Sequence, residues 1–246
     1  MSIQRPILEI RGLCKTIHSG THEVEILRGI AFAIPRGQFV AIRGPSGSGK
    51  STLLGLMAGL DTPTAGTIIL DGWEISHLGE DEMALLRGRK IGFVFQSYQL
   101  VPTLTAEENV LLPLDLAGDG YAGLDRAREL LDRVGLADRR DHYPVQLSGG
   151  EQQRVALARA FIRKPPIVMA DEPTGNLDGA NGRHVLEMLL DLNRREQTTL
   201  ILVTHDAELA AHAGRLINLR DGQIESDETR DETGDETGDE TTDGHR

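Results

Sequence analysis

Apolar residues in this chain recur at two different spacings, and the switches between them outline its architecture. Near the start, short apolar runs bounded by turn residues read as strands: Ile7 to Ile10, Glu23 to Leu27, Ala31 to Ile34 and Phe39 to Ile42. Pro35-Arg36-Gly37 turns the chain between the last two. A glycine-rich loop follows, then a helical pattern at Leu53, Leu54, Leu56 and Met57. Thr67 to Leu70 reads as another strand before an Asp71-Gly72 turn. Residues 97 to 162 are mainly helical in pattern, with interruptions expected at Pro102, Pro113 and the loop from Gly118 to Gly123. Leu124, Ala127, Leu130, Leu131 and Val134 fall on one helical face. After Pro166 the alternation returns, with strands at Ile167 to Ala170, Thr199 to Val203 and Leu216 to Leu219, and a helix from Arg183 to Arg195. Strand, loop and helix alternating in this way predict an α/β layered core, with the helical middle inserted into it.

Candidate chemistry sits at the ends of these strands. Gly44-Pro45-Ser46-Gly47-Ser48-Gly49-Lys50-Ser51 fits G-x-x-x-x-G-K-[ST] in full, between a strand and a helix. Glycines there let successive amide groups face one point, and the helix start adds a favourable dipole for phosphate. The stretch Gly44 to Ser51, with Thr52, is the expected nucleotide site. Lys50 should reach the β- and γ-phosphates, and the Ser51 hydroxyl should ligate Mg²⁺. Ile167-Val168-Met169-Ala170-Asp171-Glu172 then delivers two carboxylates to the carboxyl edge of the sheet, where ligands of such folds bind. Asp171 is the expected Mg²⁺ partner and Glu172 the general base, or the group that orients the attacking water. Between the two motifs, Ser148-x-x-Glu151 satisfies the capping-box rule and opens an amphipathic run ending before Pro165. Gly149 and Gly150 weaken a first helical turn. They make sense where another molecule approaches the backbone, and a helix start of this kind suits a γ-phosphate.

Taken in order, these motifs resemble those of the ABC-type ATPases, over residues 7 to about 225. Gln96 in Phe93-Val94-Phe95-Gln96, Gly175-Asn176-Leu177-Asp178, and His205 in Val203-Thr204-His205-Asp206 match three further family elements. The resemblance implies a nucleotide-binding domain over residues 1–225, built from a P-loop core sheet, an N-terminal antiparallel β subdomain and an α-helical subdomain inserted at about 97–162. It implies ATP and Mg²⁺ as cofactors, with Glu172, His205 and Gln96 catalytic and Ser51, Gln96 and Asp171 around the metal. It also implies a homodimer in which Ser148, Gly149, Gly150 and Gln152 contact the other copy's ATP, while Asp178 couples the two sites. One position departs from the family pattern. Ile17 stands where an aromatic ring usually stacks on adenine, and His18 or His22 is left as an alternative, so base selectivity stays open. Phe95 to Leu100, Pro102 to Val110 and Pro173 to Asp178 look like the branch serving lipoprotein release and macrolide efflux. The partner implied is an integral-membrane permease whose cytoplasmic helix would dock on Tyr98 to Pro113, placing the chain at the cytoplasmic face of the membrane. The alternative is a soluble ABC protein acting on nucleic acid or ribosomes. A single cassette, no sustained heptads and no basic face speak against it.

Composition changes this picture in two places. No run approaches the about 18 to 20 apolar residues of a membrane span, so a membrane role has to come through a partner. The N-terminus lacks a signal-peptide core, and the single cysteine, Cys14, excludes an internal disulfide and fits a reducing compartment. The net charge of −12 is concentrated at one end. From Ser226 onward an acidic four-residue repeat holds nine acidic and two basic residues, against 29 and 24 in the rest of the chain. The body is therefore only mildly acidic and has no stripe for nucleic acid. Residues 226–246 are expected to be a disordered, solubilising tail.

Overall fold

The segment from Leu8 to Ile34, read above as three strands, folds as two long ones. The computed structural model describes residues 5–19 and 22–230. In it β1 (Leu8–Ser19) and β2 (His22–Ile34) form a hairpin. Glu23 to Leu27 and Ala31 to Ile34 belong to one strand because bulges absorb the residues that break the alternation, with Gly12 and Gly29 at positive φ. The hairpin continues through β4 (Ala65–Leu70) and β5 (Trp73–Glu74) into an antiparallel sheet of order β2-β1-β4-β5.

The second sheet runs β10-β9-β3-β8-β7-β6. Its strands β3 (Phe39–Arg43), β6 (Ile91–Val94), β7 (Ile167–Asp171), β8 (Thr199–Thr204) and β9 (Arg215–Arg220) are parallel, and β10 (Gln223–Thr229) adds an antiparallel edge. All six residues of β8 are buried, as the unbroken apolar run of a two-sided parallel strand requires. The helix α1 (Lys50–Met57) lies in the core shared by the two sheets. On the other side pack α3 (Ala106–Asp115), α4 (Leu124–Arg133), α5 (Gly149–Phe161) and α6 (Gly179–Glu196). The helices α2 (Glu80–Lys90) and α7 (Ala207–Ala211) complete the set. The predicted apolar face of α4 is the buried one, with Ala127, Leu130, Leu131 and Val134 fully enclosed.

Two further expectations are corrected. Pro113 does not interrupt a helix but lies inside the last turn of α3. There it gives up one intrahelical bond while Leu116 still bonds to the Leu112 carbonyl, and its own carbonyl accepts from Arg163. The folded body also runs past residue 225, since Ser226 to Thr229 are strand. Acidity does not prevent this, because Asp227 meets both ends of the Arg215 guanidinium and Glu225 meets Arg220. Residues 231–246, most of the expected tail, lie outside the described part.

Candidate active site

The phosphate loop leaves β3 and turns into α1 over a floor made by the end of the chain. A Cβ on Gly44 would fall on the Leu219 carbonyl oxygen of β9, so only glycine lets the loop pass. Gly222, in the turn between β9 and β10, donates to the Ser48 carbonyl at 3.2 Å. Gly49, with φ 97°, caps α1, and a side chain there would lie 2.8 Å from Leu27. Lys50, at the helix start, donates from Nζ to the Gly44 and Pro45 carbonyls, both at 2.9 Å. Its amine forms no ion pair among the described residues, so phosphate oxygens need displace only two neutral acceptors.

The second half of the site comes from β7, two strands away. Ser51 Oγ donates to Asp171 Oδ1 at 3.3 Å, which joins two of the three residues expected around Mg²⁺. Burial pushes the Asp171 carboxyl up from its ordinary pKa; the Ser51 hydrogen bond opposes this, the neighbouring Glu172 charge adds to it, and Lys50 draws it down. Glu172 has φ 44°, a backbone region uncommon for a residue with a side chain. It is held there from three sides. Its N–H donates to the Val203 carbonyl at 2.9 Å, its Oε1 lies 2.8 Å from His205 Nδ1, and its Oε2 accepts from Thr204 Oγ1 at 3.3 Å. Gln96 is fixed by its backbone, whose carbonyl accepts from Asn176 Nδ2 at 2.9 Å. Its side-chain amide packs so closely over Gly175 that a Cβ there would lie 2.9 Å away. One cleft of about 630 Å³ brings together Ser46, Gly47, Gly49, Lys50, Ser51 and Thr52 with Gln96, Glu172 and His205, and Ile26 forms part of its wall. Gly44, Pro45 and Ser48 are not part of that lining, and Asp171 reaches it through Ser51.

Ser148, Gly149, Gly150 and Gln152 are not part of that lining either. The expected capping box is present: Ser148 Oγ accepts from the Glu151 N–H at 3.3 Å, and Glu151 Oε2 accepts from the Ser148 N–H at 2.8 Å. A Cβ on Gly149 would lie 2.8 Å from the Tyr98 hydroxyl, and one on Gly150 would meet Asn181 at an ordinary 3.7 Å. Within the chain, then, the Tyr98 hydroxyl already crowds any side chain at 149, a packing reason that the sequence spacing does not reveal. Gln152 Nε2 donates to the Leu147 carbonyl at 3.1 Å. Asp178 caps α6 through the Asn181 N–H at 3.0 Å, and that bond leads the interactions holding its carboxyl below the ordinary range. Ile17 lies near the β1–β2 turn, 45% exposed, and His18 sits 3.5 Å from Glu23; neither lines the cleft. The His22 side chain falls outside the described part.

Pattern reading placed Tyr98 and Gln99 in the branch-like stretch and the expected docking region, but it missed Arg159 and the clamp these three residues form. Tyr98 and Gln99 both adopt positive φ, and Arg159 on α5 donates to their carbonyls at 2.8 and 2.7 Å. No local signal marks this clamp, because Arg159 is about sixty positions away in sequence.

The ABC transporter family model matches residues 27–175, more than half of the chain. This chain belongs to the ABC transporter family. As a member it is an ATP-binding ATPase that works with Mg²⁺, and the glycine-lined loop, the Lys50 amine held by two neutral carbonyls and the Ser51–Asp171 pair fit MgATP. It is 51% identical over 226 residues to the macrolide export ATP-binding/permease protein MacB of Brucella melitensis, which covers 92% of this chain and 35% of that protein. The chain thus spans about a third of the MacB relatives it matches. Against YbbA of Escherichia coli K12, an uncharacterised ABC transporter ATP-binding protein, it is 49% identical over 222 residues, 90% of this chain and 97% of that one. Among solved structures, the dimeric ATP-binding cassette MJ0796, in a post-hydrolysis state bound to ADP and Pi, matches with a TM-score of 0.83 and 41% identity over 90% of this chain and 98% of that one.

Proposed function

We propose that this chain is the motor of a membrane transport system, two copies closing around two MgATP to drive an integral-membrane permease. The observation that carries this reading is the division of the phosphate-binding parts. One cleft is lined by the phosphate loop together with Gln96, Glu172 and His205, while the helix start at Ser148 to Gly150 lies outside its lining. A half-site of this kind is completed by the signature helix of a second copy, with Ser148, Gly149, Gly150 and Gln152 meeting the γ-phosphate and Asp178 at the seam. The dimeric cassette MJ0796 supports the arrangement.

Within each half, Lys50 exchanges the Gly44 and Pro45 carbonyls for phosphate oxygens. Mg²⁺, held by Ser51, Asp171 and Gln96, would neutralise phosphate charge. Glu172 accepts the proton of the attacking water, and the 2.8 Å contact with His205 keeps its carboxylate aimed. The permease reading is supported by the MacB relatives, which join an ATP-binding part to a permease in one protein, and by the full-length match to a separate ATP-binding protein. A groove of about 240 Å³ between α5 and the α2–β6 segment reaches Gln99 and Pro113, within the expected docking region. No described helix is long and apolar enough to cross a membrane, so the working place at the cytoplasmic membrane face is reached through that partner.

The test is Glu172→Gln, purified with MgATP. A dimer by light scattering, with phosphate release lowered at least about a hundredfold, is expected. An ATP-bound monomer would sink the sandwich, and wild-type turnover would remove the assigned base.

A further inference from the structure

Gln153 lies one helical turn beyond Gly149 on α5 and is fully buried. Its Nε2 donates to the Pro173 carbonyl at 2.7 Å and, over a weaker 3.5 Å, to the Phe95 carbonyl. Pro173 directly follows Glu172, and Phe95 directly precedes Gln96. One amide therefore touches the backbone beside both residues assigned to the attacking water. Two carbonyl acceptors at one end also settle which end is nitrogen, since the flipped amide would set oxygen against oxygen. Oε1 is then left buried with no donor among the described residues.

An unbranched apolar side chain of similar length would fill the same space but leave the Pro173 carbonyl without this donor, so what the amide adds is the hold of Nε2 on the two carbonyls. The same helix grips the same loop again, through Arg159 on the Tyr98 and Gln99 carbonyls and through Tyr98 over Gly149.

We propose that Gln153 is a positioning residue for hydrolysis: it registers the backbone beside Gln96 and beside Glu172 against the signature helix, so the water-activating geometry depends on where that helix sits. The inference rests on the roles proposed above for Gln96, Glu172 and the signature. It links the helix start that meets one copy's nucleotide to the base acting on the other's.

The experiment compares wild type with Gln153→Met and Gln153→Asn in the full chain, by steady-state ATPase kinetics, direct nucleotide binding and thermal melting. Methionine removes the unpaired Oε1 and frees the Pro173 carbonyl, two opposing effects on stability. Asparagine keeps an amide but withdraws it by one methylene. For both variants, kcat should fall about tenfold while KM and nucleotide affinity stay within about twofold. The melting point should stay within about 3 °C of wild type. A kcat within twofold of wild type in either folded variant overturns the proposal. So does a loss of kcat that tracks the unfolded fraction and returns on cooling, which is what a structural role alone predicts. Glu172→Gln assayed alongside keeps the two readings separate, because its turnover tests the base assignment whatever the Gln153 variants show.

Discussion

Asp171 and Glu172 are adjacent in the chain, yet their surroundings differ, and so do the roles proposed for them. Burial raises the Asp171 pKa, so at the proposed metal site its proton would compete with Mg²⁺ more strongly than at an exposed carboxylate. Because the folded value lies above the unfolded one, the stability linked to this group is full below the unfolded value and is lost as pH rises through the folded value. Mg²⁺ binding has the opposite dependence. The Mg²⁺ needed for half-maximal ATPase should rise as pH falls through that window, and in Asp171→Asn it should be at least about tenfold higher and flat with pH. A steeper profile in the variant would remove Asp171 from the metal. Sequence alone exposes these two carboxylates because a strand end carries them. It does not expose the positive φ of Glu172 or its contacts with Thr204 and His205, which are 32 and 33 positions away. Gly149 gives a second test at this scale. Gly149→Ala should lower ATPase turnover because its methyl meets the Tyr98 hydroxyl, and adding Tyr98→Phe should restore much of it by leaving a 3.6 Å contact. No recovery would assign the need for glycine to the second copy instead.

At the scale of elements, what the sequence revealed depended on the reach of the interaction. The cap of α5 is an i to i+3 device, so Ser148 and Glu151 announced it correctly. Its Glu151 carboxyl is held below the ordinary range, first by the Ser148 N–H. That contribution to stability is present above the unfolded pKa and fades as pH falls through the lowered folded value. Ser148→Ala should cost about 1 kcal/mol in a denaturant titration at neutral pH. No change would mean that Glu151 and the helix dipole suffice without the hydroxyl. By contrast α2 escaped notice: it buries only Met83 and is anchored by Arg87 on the Gly59 carbonyl, a contact 28 residues away. The division of β2 failed for a related reason, since Gly29 looks like a terminator until its bulge against β1 is seen.

On the scale of the whole molecule, the α/β class and the helical insertion were legible because each rests on periodicity. The joining of the two sheets was not. Arg215 on β9 bonds to Asp227 on β10 through two nitrogens and to the Ala33 carbonyl on β2, spanning 182 residues. Arg215→Ala should cost about 2 kcal/mol of unfolding free energy, read from the denaturant midpoint. A loss below about 0.5 kcal/mol would reduce the contact to a surface pair. The position of β3 between β8 and β9 carries a further consequence, for biosynthesis. The phosphate loop is encoded early, at residues 44 to 51, but two of its neighbours, the Leu219 carbonyl and the Gly222 turn, come late. During translation the loop leaves the ribosome well before Leu219 and Gly222 do, so a nascent cassette carries its phosphate loop without this floor until β9 and the turn after it have been made.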